Sequence, residues 1–152
     1  MGNVNLTDER KAVIFGKDDV IVPKYIAGIA GGRGLDVTGI SDEVLHAGHI
    51  IITDGAGNYK PLVYTTTLGV KAYGEKPGGW SYAGVLYRSI LKKKPSAAIM
   101  ISGVVNDAAV EIPYGAHKTA LKSAIPTIMF VKDEVADSTA PVEESESSSS
   151  AN

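Results

Sequence analysis

Short apolar runs separated by turn-forming residues constrain the fold of this chain more than any other feature of its sequence. The clearest runs span residues 49–53, 97–105 and 127–131, and Gly, Pro, Asn and Asp cluster between them. Runs of this length are typical of β-strands, whereas a membrane-spanning helix needs about 18 apolar residues or more. The spacing therefore predicts a mainly β domain of the β-rich α+β class, built from antiparallel hairpins.

Turn chemistry assigns individual hairpins. Residues 49–53 and 59–62 flank the loop Asp-Gly-Ala-Gly-Asn, and this loop composition predicts an antiparallel hairpin. Residues 63–70 have a β-branched strand pattern, and residues 80–91 follow as another strand region after a Glu-Lys-Pro-Gly-Gly turn. A compact arrangement of hairpins is expected from these alternating segments.

Two runs are predicted to take opposite places in the sheet. Pro23 interrupts residues 20–30 and removes a ladder hydrogen-bond donor, which predicts an edge strand or an extended segment. Residues 97–105 form the most apolar stretch and predict the central strand. We expect its core side chains to be Ile99, Ile101 and Val104 or Val105.

One short helix is predicted near the C-terminal end of the body, within residues 113–124. The apolar residues spaced for one face of this helix are Ala116, Ala120, Leu121 and Ala124. Pro126 ends the helical pattern, and residues 127–131 predict a last strand.

Charge and composition divide the chain into three segments. Six of the 17 acidic residues lie within residues 133–152, where no base occurs, so residues 1–132 hold 11 acids against all 15 Lys and Arg residues. The Ser-rich acidic tail, 133–152, is expected to be disordered. Residues 1–19 carry one isolated apolar run and predict an N-terminal arm, which leaves residues 20–132 as the β-rich domain.

The residues that carry chemistry do not form a recognisable catalytic set. The chain has no cysteine, which excludes disulfides and thiolate metal sites. The Gly-rich segment 28–34 lacks the Lys-Ser/Thr of a phosphate loop, and no serine lies in a Gly-x-Ser-x-Gly motif. His46, His49 and His117 are too scattered to predict a metal site, so we expect no enzyme activity, no metal and no cofactor.

Aromatic and basic residues mark a candidate binding surface within residues 80–94. Its members are Trp80, Tyr82, Lys92, Lys93 and Lys94, with Tyr87 and Arg88 between them. Such a mixture can bind nucleic acid, but a pI of about 5.9 does not favour phosphate partners. We therefore expect no nucleic-acid partner and no membrane partner.

Residues 43–132, which are 90 of the 152 residues, resemble the lambda-type head decoration proteins of tailed bacteriophages and related head-fibre proteins. The motifs that carry the resemblance are AGHIIITDGAGNYKPL, YAGVLYRSI, AAIMISGVVNDAAVEI and HKTALKSAIPTIMFVKD. Within them, Gly103-Val104-Val105-Asn106 and Ile128-Met129-Phe130 follow the family's order of strand, helix and final strand. The acidic tail and the Trp80-containing segment 71–80 depart from the family pattern.

The resemblance implies a non-catalytic virion protein that is made in the host cytoplasm, trimerises on the outer capsid surface and stabilises the shell. It implies that the arm contacts the major capsid protein, and the candidate contact residues are Val4, Leu6, Val13, Ile14 and Phe15. Two other functions remain open from the residues alone. One is a carbohydrate- or host-surface-binding module that uses Trp80, Tyr82 and Tyr87, and the other is a small hydrolase that uses His49 or His117.

Overall fold

The computed structural model describes residues 17–131. The five candidate contact residues of the arm and the predicted tail lie outside these residues. The helices are α1 (Asp18–Ile21) and α2 (His117–Ala124). The strands, in chain order, are β1 (Lys24–Gly28), β2 (Arg33–Gly34), β3 (Val44–Leu45), β4 (Ile50–Thr53), β5 (Tyr59–Pro61), β6 (Tyr64–Thr67), β7 (Val70–Tyr73), β8 (Ser81–Leu86), β9 (Ile90–Leu91), β10 (Ser96–Ala97), β11 (Ile99–Val105) and β12 (Ile128–Phe130).

A six-stranded sheet forms the centre of the molecule, in the order β1-β11-β8-β4-β5, with β12 paired to β11. The pairs are antiparallel except β11 with β12, which is parallel. Short two-stranded ladders join β2 to β10, β3 to β9 and β6 to β7. The predicted mainly β class is confirmed, as are the hairpin of β4 and β5 and the central place of β11.

The continuous apolar runs of the central strands have a direct cause, because both faces of the sheet are buried. Successive side chains of a strand point to opposite faces. Ile50 and Ile52 pack into one core cluster with Phe130, while Ile51 packs into a second cluster with Leu86. A strand buried on both faces needs an apolar residue at every position, which explains why β4 lacks the usual alternation.

The edge prediction for the first strand is confirmed, because β1 pairs only with β11 among the described residues. The pairing becomes irregular around Ile26, where the register shifts. Such bulges are common on sheet edges, where they interrupt a ladder that another chain could extend.

A one-turn helix, α1, precedes the predicted start of the domain and is part of the packed body. Asp18 is buried in it, and its carboxyl group accepts hydrogen bonds from the Ser89 backbone N–H at 2.8 Å and the Ser89 hydroxyl at 2.5 Å. The Ser89 hydroxyl oxygen in turn accepts the Ala47 backbone N–H at 3.0 Å. The described body therefore includes Asp18, two residues before the boundary at residue 20.

Two core predictions need correction. Ile99, Val104 and Val105 are buried, but Ile101 is only half-buried, because β8 pairs with β11 only at Ile99 and Met100. The predicted apolar face of α2 is also wrong in its alanine members. Leu121 is the buried residue of this helix, whereas the other members of the predicted face are exposed, namely Ala116, Ala120 and Ala124.

The predicted strand over residues 63–70 is divided into two strands by a tight turn. Leu68 and Gly69 both have positive φ, at 52° and 79°, as the two central residues of a type I′ hairpin turn require. Strand β6 therefore reverses directly into β7, and the pair forms a separate hairpin. The sequence pattern missed this turn, because a leucine occupies the position where Asn, Asp or Gly is usual.

Candidate interaction surfaces

The β6–β7 hairpin extends from the body with an apolar tip. All residues from 65 to 70 are exposed, and Leu68 and Val70 keep 98% and 66% of their surface accessible. A non-glycine residue with positive φ is uncommon, and Leu lacks the short polar side chain that helps Asn or Asp in this conformation. The molecule thus combines a strained backbone and an exposed leucine at the same residue.

The base of this hairpin is fixed to the body by a group of polar side chains, which we call the hairpin anchor: Asp42, His46, Tyr64, Lys71 and Glu111. The Lys71 ammonium donates to Asp42 at 2.8 Å and also to Glu111, and the Tyr64 hydroxyl donates to Asp42. His46 Nε2 lies 3.4 Å from the Glu111 carboxylate. The hydrogen bonds from Lys71 and then Tyr64 lower the pKa of Asp42.

A buried histidine lies beneath the hairpin. His49 Nε2 donates to the Leu62 carbonyl oxygen at 2.9 Å, and the ring packs edge-on against Tyr64 and Tyr73. Burial lowers the pKa of His49 to about 4, so the ring is neutral at pH 7. The Tyr73 hydroxyl accepts the Ile50 backbone N–H at 3.2 Å, which ties β7 to the central sheet.

A surface hollow of about 480 Å³ lies at the other end of the β4–β5 hairpin. Its apolar walls come from Leu35, Tyr59 and Trp80, and its oxygen atoms from Asp36 and Asp54. The remaining lining residues are Gly34, Gly57 and Asn58. Local hydrogen bonds lower the pKa of both carboxyl groups, chiefly from Thr38 to Asp36 and from Asn58 to Asp54, so both carry a charge at pH 7.

The predicted aromatic surface is divided among separate partners. Trp80 lines the hollow together with Tyr59, and the Lys60 ammonium lies 4.1 Å from the centre of its ring system. The Tyr82 hydroxyl is 2.8 Å from His117 Nδ1, while the Tyr87 ring lies 4.4 Å from that of Tyr25. These contacts leave Trp80 as the one member of the three that lines the hollow.

The three lysines of the predicted surface also have different environments. The Lys92 ammonium donates to the Ile40 carbonyl and is part-buried. Lys93 and Lys94 are exposed in the turn after β9. Two exposed charges of this kind are typical of a solvated turn and do not by themselves indicate a phosphate site.

The residues considered for hydrolysis have structural partners. His49 is bonded to a backbone carbonyl, and His117 lies between the Tyr82 hydroxyl and the Gly74 carbonyl oxygen, 2.8 Å from each. Within residues 17–131, no three His, Asp or Glu residues are arranged to hold a metal ion. In the same residues, no helix is long and apolar enough to cross a membrane.

Helix α1 and strand β1, which follow the predicted arm in sequence, have exposed apolar side chains. Val20 and Ile26 are 54% and 53% exposed, and Tyr25 is exposed as well. The Asn106 N–H donates to the Ile21 carbonyl at 2.8 Å, and the strand pair β11–β12 ends beside Asn106. Ile21 and Phe130, near the two ends of the described residues, therefore both lie close to the end of β11.

The motif that carries part of the family resemblance has a clear structural role. A Cβ atom on Gly103 would lie 2.5 Å from the Lys24 carbonyl oxygen, so only glycine allows β1 to approach β11 at this point. Asn106 follows, and its side-chain oxygen accepts the Ala108 N–H at 3.2 Å in the next turn. These contacts explain a Gly-Val-Val-Asn sequence by packing alone.

Comparison of the chain with protein-family models, curated proteins and solved structures finds no match. The resemblance to phage decoration proteins therefore stays a prediction.

Proposed function

We propose that this chain is a non-catalytic virion structural protein that binds the outer surface of a phage capsid through its N-terminal arm and first strand. The observation that carries the proposal is the exposure of three apolar side chains in α1 and β1, Val20, Tyr25 and Ile26, which we call the apolar strip. This strip directly follows the arm, whose apolar residues include Val13, Ile14 and Phe15. Both groups of apolar side chains would contact one protein partner, the major capsid protein.

The body has the properties that a surface-stabilising protein needs. Both faces of its central sheet are packed, and among the described residues no buried side-chain nitrogen or oxygen lacks a hydrogen-bond partner. A rigid body loses little conformational entropy on docking, so more of the contact energy is retained as affinity. A homotrimer would place three arms on the shell, and simultaneous binding would strengthen modest individual contacts.

The two other functions receive less support from the geometry. A hydrolase needs a nucleophile beside a base, but His49 and His117 are both hydrogen-bonded to backbone carbonyl groups, and Ser89 is buried against Asp18. A carbohydrate module that uses Trp80, Tyr82 and Tyr87 together needs a shared aromatic platform. These three side chains instead have separate partners.

Co-sedimentation with capsid shells that lack decoration tests the proposal. The variant Ile26→Lys should lose most capsid binding, because it places a charge in the apolar strip while its side chain is already half in solvent. Deletion of residues 1–15 should have a larger effect, since it removes Val13, Ile14 and Phe15 as well. Val63→Thr is the matched control, because Val63 is an exposed valine outside the strip.

Equal sedimentation of the wild-type chain, Ile26→Lys and the deletion variant would refute the proposed contact. The same result for all variants on unrelated protein particles would show that sedimentation is nonspecific. Circular dichroism of each variant should match that of the wild-type chain, which separates lost binding from lost folding.

A further inference from the structure

The exposed leucine at the tip of the β6–β7 hairpin is the least expected apolar residue of the described chain. Leu68 gains nothing from burial, and its positive φ of 52° favours Asn or Gly over Leu. The hairpin anchor nevertheless fixes the base of this hairpin to the body. An apolar knob on a fixed support is suited to insertion into a hollow of a partner.

The hollow beside Trp80 has the size and chemistry to receive this tip. Its volume of about 480 Å³ is large enough for a leucine side chain and the turn that carries it. Leu35, Tyr59 and Trp80 offer apolar contact, and the charged oxygens of Asp36 and Asp54 can accept hydrogen bonds from hydroxyl groups. The hairpin supplies such hydroxyls from the exposed Thr65, Thr66 and Thr67.

The β6–β7 hairpin joins the body near one end of β4, and the hollow lies near the other end of this strand. The chain enters the hairpin after Leu62, whose N–H donates to the carbonyl of Ile50, the first residue of β4. The hollow includes Asp54, Gly57 and Asn58, in the loop that follows Thr53, the last residue of β4. Leu68 is 98% exposed and no hairpin residue lines the hollow, so the tip does not fill the hollow of its own chain and is available to that of a second copy.

We infer that the Leu68 tip of one copy inserts into the Trp80 hollow of the next copy of this chain. The contact is heterologous, so repetition around a rotation axis closes a ring in which every knob and every hollow is used. The inference names the residues that would mediate the self-association included in the proposed function. The number of copies in the ring rests on that proposed function, in which the chain forms a homotrimer.

Insertion has to displace the Lys60 ammonium from the ring of Trp80. Lys60 is only half-buried, and an exposed cation–π contact is weaker than the burial of a leucine side chain. The displaced lysine also lies near Asp36, whose pKa it helps to lower, so it keeps an oppositely charged neighbour. The exchange therefore favours the inserted tip.

Two variants remove the knob and the hollow separately. Leu68→Asn deletes the apolar side chain with a residue that tolerates the positive φ. Gly34→Gln introduces a side chain into the hollow, at a glycine whose added Cβ would meet no atom within 4 Å. Each variant should weaken self-association of the full-length chain by more than about tenfold in sedimentation velocity over a range of concentrations.

Mixing the two variants gives the sharpest test, because each retains the half that the other has lost. An equimolar mixture should form one-to-one pairs that do not grow further, since only one intact knob and one intact hollow can meet. Met129→Thr is the matched control, an exposed apolar residue outside the hairpin, the hollow and the apolar strip, and it should associate like the wild-type chain. Thermal unfolding should show that both variants fold, and Leu68→Gly provides a second knob deletion.

A wild-type chain that stays monomeric up to millimolar concentration would overturn the inference, as would a mixture that forms no pairs. Loss of association by Leu68→Asn alone would show that the tip binds a surface other than the hollow, which also overturns it. Capsid co-sedimentation of Ile26→Lys tests the proposed function separately. A variant can therefore fail one assay and pass the other.

Discussion

The central sheet and the β6–β7 hairpin of this molecule are stabilised in different ways. The sheet places apolar side chains on both faces, and Ile50, Ile51 and Ile52 are completely buried. The hairpin has two strands, and its residues from 65 to 70 are all exposed. Its base is held by the hydrogen bonds and ion pairs of the hairpin anchor, together with the packing of Tyr64 and Tyr73 against the body.

This difference indicates where the molecule has surplus stability and where it presents a surface. Isolated two-stranded hairpins are marginally stable in water, so the anchor must supply what a third strand would otherwise provide. Exposed ion pairs contribute little individually, but Lys71 bridges two carboxylates and is itself half-buried. The hairpin is thus expected to open locally before the sheet unfolds.

The largest effect should come from the sheet. Ile51→Ala should lower the free energy of unfolding by about 2–5 kcal/mol, because Ile51 is fully buried and its removal leaves a cavity in the second core cluster. Urea denaturation followed by circular dichroism measures this change. Ile101→Ala is the matched control on β11 of the same sheet, and removal of its half-buried side chain should cost clearly less.

Equal losses for the two isoleucine variants would mean that the sheet is not packed on both faces as described. The comparison between the doubly buried sheet and the exposed hairpin would then lose its basis.

The next largest effect on stability should come from His49, which lies beneath the hairpin where the hairpin contacts the sheet. The unfolded chain binds a proton at His49 below pH 6.5, whereas the folded chain excludes it until about pH 4. The contribution of neutral His49 is therefore complete above pH 6.5 and decreases by about 3 kcal/mol as the pH falls to 4. Asp42 acts in the same direction at lower pH, because its pKa is also lowered in the fold.

Thermal unfolding between pH 4 and 7 measures this dependence. His49→Gln should flatten it, since glutamine can donate to the Leu62 carbonyl without titrating in this range. His46→Gln serves as a control for a histidine at the surface of the anchor. An unchanged pH slope in His49→Gln would show that the acid sensitivity arises elsewhere.

The sequence predicts the sheet better than the hairpin, for physical reasons. Apolar runs and the Asp-Gly-Ala-Gly-Asn loop are local signals, and they predicted the β4–β5 hairpin and the central strand. The turn at Leu68 has no such signal, because leucine is rare at positive φ. The glycine at residue 69 was the one clue that the run over residues 63–70 reverses.

The candidate interaction sites depend on contacts between residues that are distant in sequence. Asp42 meets Tyr64 and Lys71, and Lys71 meets Glu111, 40 residues further on. Trp80 was predicted as a residue of a binding surface, and the other residues that line its hollow come from separate loops. Trp80 and Tyr82 were predicted to share a surface because they are close in sequence, whereas the fold places Trp80 beside Tyr59 in the hollow.

The smallest predicted effect is also the most specific to the hairpin. Lys71→Met should lower the free energy of unfolding by about 1 kcal/mol, because the methionine keeps much of the packing but removes both ion pairs. Its main consequence should be local. Amide hydrogen exchange in β6 and β7 should become faster, while exchange in β4 and β11 should change only as much as global stability does. Lys94→Met is the matched control, an exposed lysine outside the anchor. Uniform acceleration of exchange across all strands would show that hairpin and sheet unfold as a single cooperative unit.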